Sequence, residues 1–198
     1  MSLIGDEEII KLRVAARKAH ELSNLNDIII DGTLYQFEKR EFIPDFSMVL
    51  PKSFTDLAPE YILKKYPNVN RPKLILSNHD TDVTFTFERL APQTEELESR
   101  GIKYQSVIKK IHPSYNFFSE HTYNLANGLT VACYDYQCIA LDDDIYCLHF
   151  FTDLPLGELL GSFTCPIEAQ EQWEPLVRQM LLTIKPLPRG EEEETKNA

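Results

Sequence analysis

Cysteine and histidine residues in the C-terminal half are the first candidates for metal or nucleophilic chemistry. Cys147 and His149 are two residues apart on a predicted strand and therefore share a face. A two-residue turn at Asp142-Asp143 would place Cys138 opposite Cys147. A structural zinc site needs four ligands, and a reactive thiolate needs a partly exposed, electropositive environment. Local spacing brings together too few ligands for a metal site, and the cysteines stand among apolar and aromatic residues, so we expect buried thiols and no metal site. The aspartates of the neighbouring turn would raise a thiol pKa, so we expect no catalytic cysteine.

The segment Asn78–Asp82 places a histidine beside carboxylates, which are the groups used in general acid–base catalysis. Its central residues, His79 and Asp80, could form such a pair. The same segment supplies the polar residues that a hairpin turn requires, and we favour the turn. A small hydrolase or transferase with its site at this turn is the alternative from the enzyme class.

The glycines are too far apart to form a phosphate-binding loop. Such loops need several glycines within a few residues so that backbone amides can approach the anion. Among the seven glycines, the closest pair is Gly157 and Gly161. The Walker, dinucleotide and G-x-S-x-G patterns are all absent from the sequence. We therefore expect no cofactor and no catalytic residue.

An aromatic segment is the strongest candidate for recognition. Strand alternation predicts that Tyr115, Phe117, His121 and Tyr123 share one face, with Phe118 on the other. A sheet covered on both sides would bury them all, and this is the competing interpretation. The candidate binding residues are Tyr115, Phe117, Phe118 and His121.

Composition and charge narrow the function classes. The chain has 198 residues, 43% of them apolar, and a formal charge of -11 without a Lys/Arg cluster, so we expect no nucleic-acid binding. No apolar run reaches the roughly 20 residues of a membrane span, so we expect no membrane insertion. The N-terminus lacks the pattern of a secretory signal, which favours a cytoplasmic location with free thiols. We expect a protein partner, and a homodimer is compatible with the sequence.

The predicted elements divide the chain into an N-terminal helical extension (1–26), a single α+β domain (27–186) and an acidic disordered tail (187–198). The extension contains a helix over Asp6–Leu22. The predicted strands are Ile28–Ile30, Thr33–Phe37, Phe46–Leu50, Lys73–Ser77, Asp82–Glu88, Tyr115–Asn124, Leu129–Leu141, Ile145–Phe151 and Glu158–Thr164. The predicted helices are Pro59–Tyr66, Thr94–Lys110 and Glu168–Ile184.

Three local patterns make sharper predictions. Asp31-Gly32 predicts a tight hairpin. Alternation of apolar and polar residues in Asp82–Glu88 predicts a strand buried on one face only. In the last helix, Pro175 suits a first turn, so the regular helix is expected to begin near Glu174.

Two sequence segments resemble the PsbP-like fold, which is shared by the PsbP subunit of the oxygen-evolving complex, the yeast Ran-release factor and bacterial DcrB-like proteins. Phe46–Phe54 is similar to the opening strand of that fold, and Gly161–Pro166 followed by Trp173 is similar to its last strand and helix. The resemblance implies an α+β fold in which an antiparallel sheet of about six to seven strands is flanked by helices. Here the N-terminal helical extension would be added. Trp173 is expected to anchor the last helix in the core.

The resemblance implies no shared active site, and some DcrB-like relatives act as adaptor chaperones. We therefore expect a non-enzymatic protein-binding or adaptor protein. Because fold analogy alone is an associational argument, the hydrolase or transferase alternative stays open. A third alternative is a lipid or small-ligand carrier that uses a cavity between sheet and helix.

Overall fold

The computed structural model describes residues 28–42, 44–139 and 143–188. These residues form a seven-stranded antiparallel sheet, a three-stranded sheet, a two-stranded hairpin and three helices. The predicted N-terminal helix Asp6–Leu22 and the tail from residue 189 onward lie outside the described residues. Within the described ranges, no helix is long and apolar enough to cross a membrane.

The first two strands form the predicted hairpin. Strands β1 (Ile28–Ile30) and β2 (Thr33–Tyr35) pair antiparallel across Asp31 and Gly32. These two turn residues have φ angles of 47° and 78°. A two-residue turn with positive φ at both positions matches the right-handed twist of the strands, and aspartate followed by glycine tolerates it well. The hairpin prediction is confirmed.

A three-stranded sheet follows, with the strand order β12-β4-β3. It consists of β3 (Phe37–Phe42), β4 (Phe46–Pro51) and β12 (Lys185–Pro186). The predicted strand Thr33–Phe37 is wrong, because Gln36 separates β2 from β3. The sequence patterns did not predict β3, since four consecutive charged residues in its middle give no apolar alternation.

The larger sheet has the strand order β5-β6-β7-β11-β10-β9-β8, with every neighbouring pair antiparallel. Its last four strands in sequence form the predicted meander. The strands are β5 (Thr55–Asp56), β6 (Leu74–Ser77), β7 (Thr84–Leu90), β8 (Asn116–Asn124), β9 (Thr130–Cys138), β10 (Ile145–Leu154) and β11 (Gly157–Pro166).

Strand β7 is buried on both faces, so the prediction of a half-buried strand is wrong. Thr84 and Phe85 point in opposite directions, and both are fully buried. The threonines that gave the strand its polar alternation are buried on the opposite face from Phe85 and Phe87. Their hydroxyls find partners there, as in the 2.6 Å hydrogen bond between Thr86 Oγ1 and Ser162 Oγ.

Three helices cover the sheets: α1 (Pro59–Lys65), α2 (Leu97–Ile111) and α3 (Gln170–Leu181). Helix α2 packs on one face of the larger sheet, and α3 lies on the other face with the smaller sheet. Helix α2 begins at Leu97 with no side-chain cap, so the predicted start at Thr94 is wrong by three residues. The predicted start of the last helix near Glu174 is also wrong, because a 3-10 turn and the first helical turn precede Pro175.

The main core lies between the two sheets and α3. Trp173 is 1% exposed, and its ring centroid lies 5.0 Å from that of Tyr35, 5.6 Å from Phe163 and 5.9 Å from Phe54. The predicted core position of Trp173 is confirmed. A second, smaller core lies under α2 and consists of Ala132, Tyr134, Tyr136, Cys147 and Phe151.

The hairpin between β9 and β10 has a longer connection than predicted. Cys138 pairs with Ile145, and Cys147 pairs with Tyr136. The predicted two-residue turn at Asp142-Asp143 is therefore wrong, and Cys138 is not opposite Cys147. The connection between the last paired residues of β9 and β10 is six residues long, 139 to 144.

Candidate functional site

A β-bulge in the edge strand β8 decides where the candidate binding residues point. Phe117 pairs with Tyr136, and the next pair along the two strands is Glu120 with Tyr134, so β8 has one residue more than β9 across this interval. An extra residue reverses the alternation of side chains beyond it. The prediction that Tyr115, Phe117, His121 and Tyr123 share one face is therefore wrong.

Two of the four candidates lie on the α2 face of the sheet. Tyr115 stacks on Tyr136 with ring centroids 5.5 Å apart, and Phe117 lies 5.0 Å from the same ring. The ammonium of Lys109 lies over the Phe117 ring, 4.4 Å from its centroid. Both aromatic candidates are half-buried parts of the second core.

The other two candidates point to the α3 face. Phe118 is 47% exposed, and its ring centroid lies 6.4 Å from that of Tyr146. His121 is exposed, and its ring lies 6.0 Å from Tyr123. Partial burial, followed by the nearby charge of Arg178, lowers the pKa of His121 below its ordinary value. Of the predicted residues, only Phe118 presents a large apolar surface to solvent.

A buried carboxylate holds the bulge in place. Asp135 is 1% exposed, and its Oδ1 accepts hydrogen bonds from the backbone N–H and the hydroxyl of Ser119, both at 2.8 Å. Its Oδ2 accepts from the Tyr146 hydroxyl at 2.8 Å and from Arg178 Nη2 at 2.6 Å. Burial, and then the Asp135 charge, raise the pKa of Tyr146. The carboxylate thus accepts the hydrogen bonds of Ser119 in the bulge, and this fixes the face to which Phe118 points.

A second buried ion cluster attaches α2 to the sheet. Arg100 Nη1 lies 2.8 Å from the fully buried carboxylate of Glu158, and Arg100 Nη2 lies 2.6 Å from Asp153 Oδ2. The Tyr104 hydroxyl donates to Glu158 at 3.1 Å. Burial, and then the Glu158 charge, raise the pKa of Tyr104 to about 12. Sequence reasoning missed this cluster, although Arg100 and Tyr104 are one helical turn apart.

Burial suppresses the reactivity of the cysteine and histidine candidates. Burial raises the pKa of Cys133 and of Cys147 to about 12, so both are thiols at neutral pH. Burial lowers the pKa of His149 to about 4. Its Nε2 lies 3.1 Å from the Tyr136 hydroxyl, and its ring stacks against Tyr134 and Tyr136, with centroids 5.4 Å and 5.6 Å away. No three His, Cys, Asp or Glu side chains of the described residues are grouped to hold a metal ion.

The Asn78–Asp82 segment is a closed polar turn. Asn78 Nδ2 donates to Asp82 Oδ1 at 2.5 Å, and Asn78 Oδ1 accepts from the backbone N–H of Val83 at 3.1 Å. Thr81 has a φ of 63°, which the turn requires. The turn uses its amide and carboxylate to satisfy its own backbone, as the sequence analysis favoured.

A pocket of about 190 Å³ lies between α2 and the end of the sheet formed by β8 and β9. Helix α2 contributes Glu98, Gly101 and Gln105, and β8 contributes Glu120 and Thr122. For scale, about 150 Å³ is enough for benzene, whereas drug-sized ligands occupy about 300 Å³ or more. This pocket therefore suits a group of a few heavy atoms and is too small for a lipid.

Comparison with known proteins shows the fold. The solution structure of cyanobacterial PsbP (CyanoP) from Synechocystis sp. PCC 6803 matches with a TM-score of 0.55 at 7% sequence identity, covering 80% of this chain and 97% of that chain. Protein PA94 of unknown function from Pseudomonas aeruginosa matches with a TM-score of 0.46 at 15% identity, covering 77% of this chain and 99% of that one.

No protein-family model and no curated protein matches the sequence. The structural match to cyanobacterial PsbP shows that the chain has the PsbP-like α+β fold that its sequence patterns predicted, with a seven-stranded antiparallel sheet and flanking helices. A likeness at such low identity establishes the architecture and leaves the activity to be argued from the site.

Proposed function

We propose that this chain is a non-enzymatic protein-binding or adaptor protein that receives an extended segment of a partner protein along the outer edge of β8. One observation carries the proposal. Strand β8 is a nine-residue edge strand, no described strand pairs with its outer side, and Phe118 is 47% exposed near its middle. A long open edge offers backbone groups that an added strand can bond, with neighbouring side chains supplying specificity.

The other sheet edges are less suited to this role. Strand β5 has only two residues. Strand β3 has six, but its middle consists of charged residues, the device by which natural edges discourage pairing. Strand β8 combines greater length with an exposed aromatic ring, and the bulge that turns the ring outward is held by four contacts to Asp135.

The four residues named from the sequence have separate roles in the proposal. Phe118 contacts the partner directly, and His121 lies beside the same edge beyond the bulge. Tyr115 and Phe117 support the edge from the second core. Burying the exposed half of a phenylalanine removes roughly 100 Å² from water, which is worth about 2 kcal/mol of binding.

A non-enzymatic role is supported by the state of the reactive groups. The high thiol pKa values of Cys133 and Cys147 and the low pKa of His149 are the opposite of what nucleophilic catalysis needs. A cytoplasmic location belongs to the same proposal, since all four cysteines are free thiols. The hydrolase alternative would have to use His79 and Asp80, whose side chains are exposed in the turn.

The proposal is tested with a peptide library selected for binding to the purified protein. We expect selected peptides to slow hydrogen exchange of β8 backbone amides, because a paired strand protects them. Phe118→Ala should weaken binding about 30-fold, the equivalent of about 2 kcal/mol. Tyr61→Ala, which removes a 41% exposed ring from α1, is the matched control and should leave binding unchanged.

Two results would contradict the proposal. One is protection of amides elsewhere while β8 stays unprotected. The other is a reproducible hydrolytic rate that disappears in His79→Ala, which would favour the enzyme alternative. A concentration-dependent dimer that protects β8 without any peptide would identify a second copy of this chain as the occupant instead.

A further inference from the structure

The pocket between α2 and the sheet lies beside the same edge of β8 and has its own chemistry. Glu98, Gly101 and Gln105 line it from one face of α2, at positions i, i+3 and i+7. Glu120 and Thr122 line it from β8, just beyond the bulge. A side chain from a strand added to β8 would stand next to these two residues, on the α2 face.

Two deeply buried polar side chains of the pocket lack full hydrogen bonding within the described part of the chain. Gln105 is 4% exposed, and its one side-chain hydrogen bond there is a long one, accepted by Oε1 from Lys109 Nζ at 3.5 Å. Tyr134 is 2% exposed, and its hydroxyl bonds to no described residue. The unpaired polar atoms of these two lining residues are not fully buried, so they reach open space where a polar occupant of the pocket can bond them.

The two carboxylates in the pocket lining favour a positively charged occupant. The carboxylates of Glu98 and Glu120 form no ion pair with any residue that the structure describes. The ammonium of Lys109, one helical turn beyond Gln105, lies over the Phe117 ring and 3.5 Å from Gln105 Oε1, so an ammonium is already accommodated beside this amide. Two carboxylates, an amide and a tyrosine hydroxyl at separated positions suit a compact cation with several donors.

We infer that this pocket binds the alkylammonium group of a lysine side chain, supplied by the partner segment that pairs with β8. The inference rests on the proposed function and adds the chemistry of the partner. A volume of about 190 Å³ accommodates a four-carbon chain with its ammonium and little more. The flexible stem would contact Gly101 and Phe151, and the ammonium would donate to Gln105, Glu120 and Tyr134.

The test is an NMR titration of the intact protein with three probes, of which the first two are matched in size. They are N-acetyl-lysine methylamide, its uncharged analogue N-acetyl-norleucine methylamide, and 1-aminobutane as a free amine. We expect millimolar binding of the lysine probe, as befits one small group, with shifts at the Gly101 amide and the Gln105 side chain. The norleucine probe should cause none of these shifts.

Variants locate the site. Glu120→Gln should weaken binding of the lysine probe about three- to five-fold, because it removes one charge partner at an exposed position. Gln105→Leu should weaken it further by removing a buried acceptor. Glu171→Gln, an exposed change on α3, is the matched control and should have no effect. High salt should weaken binding of the lysine probe as well.

The outcomes separate this inference from the proposed function. Equal binding of the norleucine probe, or no shift at Gly101 and Gln105, overturns the lysine site, and water alone then fills the pocket. Peptides from the library would still protect β8 in that case, and the proposed function would stand. Binding of 1-aminobutane without any peptide pairing to β8 would mark a small-amine site and overturn both.

Discussion

Asp135→Asn is the most informative perturbation, because it acts on the buried group that holds the bulge. The substitution keeps the shape of the side chain but removes its charge. Arg178, whose side chain is 14% exposed, then loses its 2.6 Å partner. Breaking a buried ion pair by removing one partner costs about 3–5 kcal/mol. The partial exposure of Arg178 and its second ion pair, with Glu174 Oε1 at 3.0 Å, favour the lower end, so we expect a loss of about 3 kcal/mol of unfolding free energy.

The measurement is urea unfolding followed by the fluorescence of the single tryptophan, Trp173, which is 1% exposed and reports on the main core. Asp80→Asn makes the same chemical change at an exposed turn position and should stay within about 0.5 kcal/mol of wild type. Hydrogen exchange at Ser119 should become faster in Asp135→Asn and stay unchanged in the control, since the Ser119 N–H donates to Asp135.

A double-mutant cycle separates the pair from its surroundings. Arg178→Met alone leaves the Asp135 carboxylate with its bonds to Ser119 and Tyr146. Together with Asp135→Asn, it should cost at least about 1 kcal/mol less than the sum of the two single changes. The reasoning is refuted if Asp135→Asn costs under about 1 kcal/mol, or if the two effects simply add.

Three further predictions concern the cores. Trp173→Ala should cost about 3–5 kcal/mol in urea unfolding, because it deletes a large buried ring; an unchanged midpoint would contradict the core assignment. Gly161→Ala should cost about 1–3 kcal/mol, since a Cβ at this position would overlap the buried ring of Phe150; wild-type stability would show that the ring moves aside freely. His149 has a pKa of about 4 in the folded protein and about 6.5 when unfolded, so the unfolded state binds more protons. The resulting loss of folding stability is absent above about pH 6.5, grows as the pH falls and is complete below about pH 4, where it reaches about 3 kcal/mol. His149→Phe should flatten the stability profile in that window, and an unaltered profile would show that His149 is not the titrating group.

Much of the architecture follows from local sequence patterns. The Asp31-Gly32 hairpin and the four-strand meander could be predicted because each depends on residues near one another in sequence. The core position of Trp173 could be predicted because a large aromatic side chain is usually buried. Strand β3 could not, since its charged middle carries no apolar period and its pairing with β4 stabilises it instead. The start of the last helix was misplaced because tertiary packing outweighs the preference of Pro175 for a first turn.

The sequence identified the segment that forms the candidate site but not the directions of its side chains. The aromatic residues from Tyr115 to Tyr123 mark β8, yet their directions depend on a bulge that only Asp135, 16 residues from Ser119, explains. The pocket depends on α2 crossing β8 and β9 at one place. Such contacts between distant residues leave no periodic signal in a single sequence.

The bulge also constrains the partner that the two proposals require. In a regular strand, Phe118 and Glu120 would be on the same face, because they are two residues apart. The extra residue of β8 places them on opposite faces, with Phe118 near Tyr146 and Glu120 beside the pocket. A partner strand without a bulge alternates regularly. The residue that covers Phe118 and the lysine that enters the pocket must then be separated by an odd number of positions, so the bulge that turns Phe118 outward also sets the spacing of the sequence that β8 can recognise.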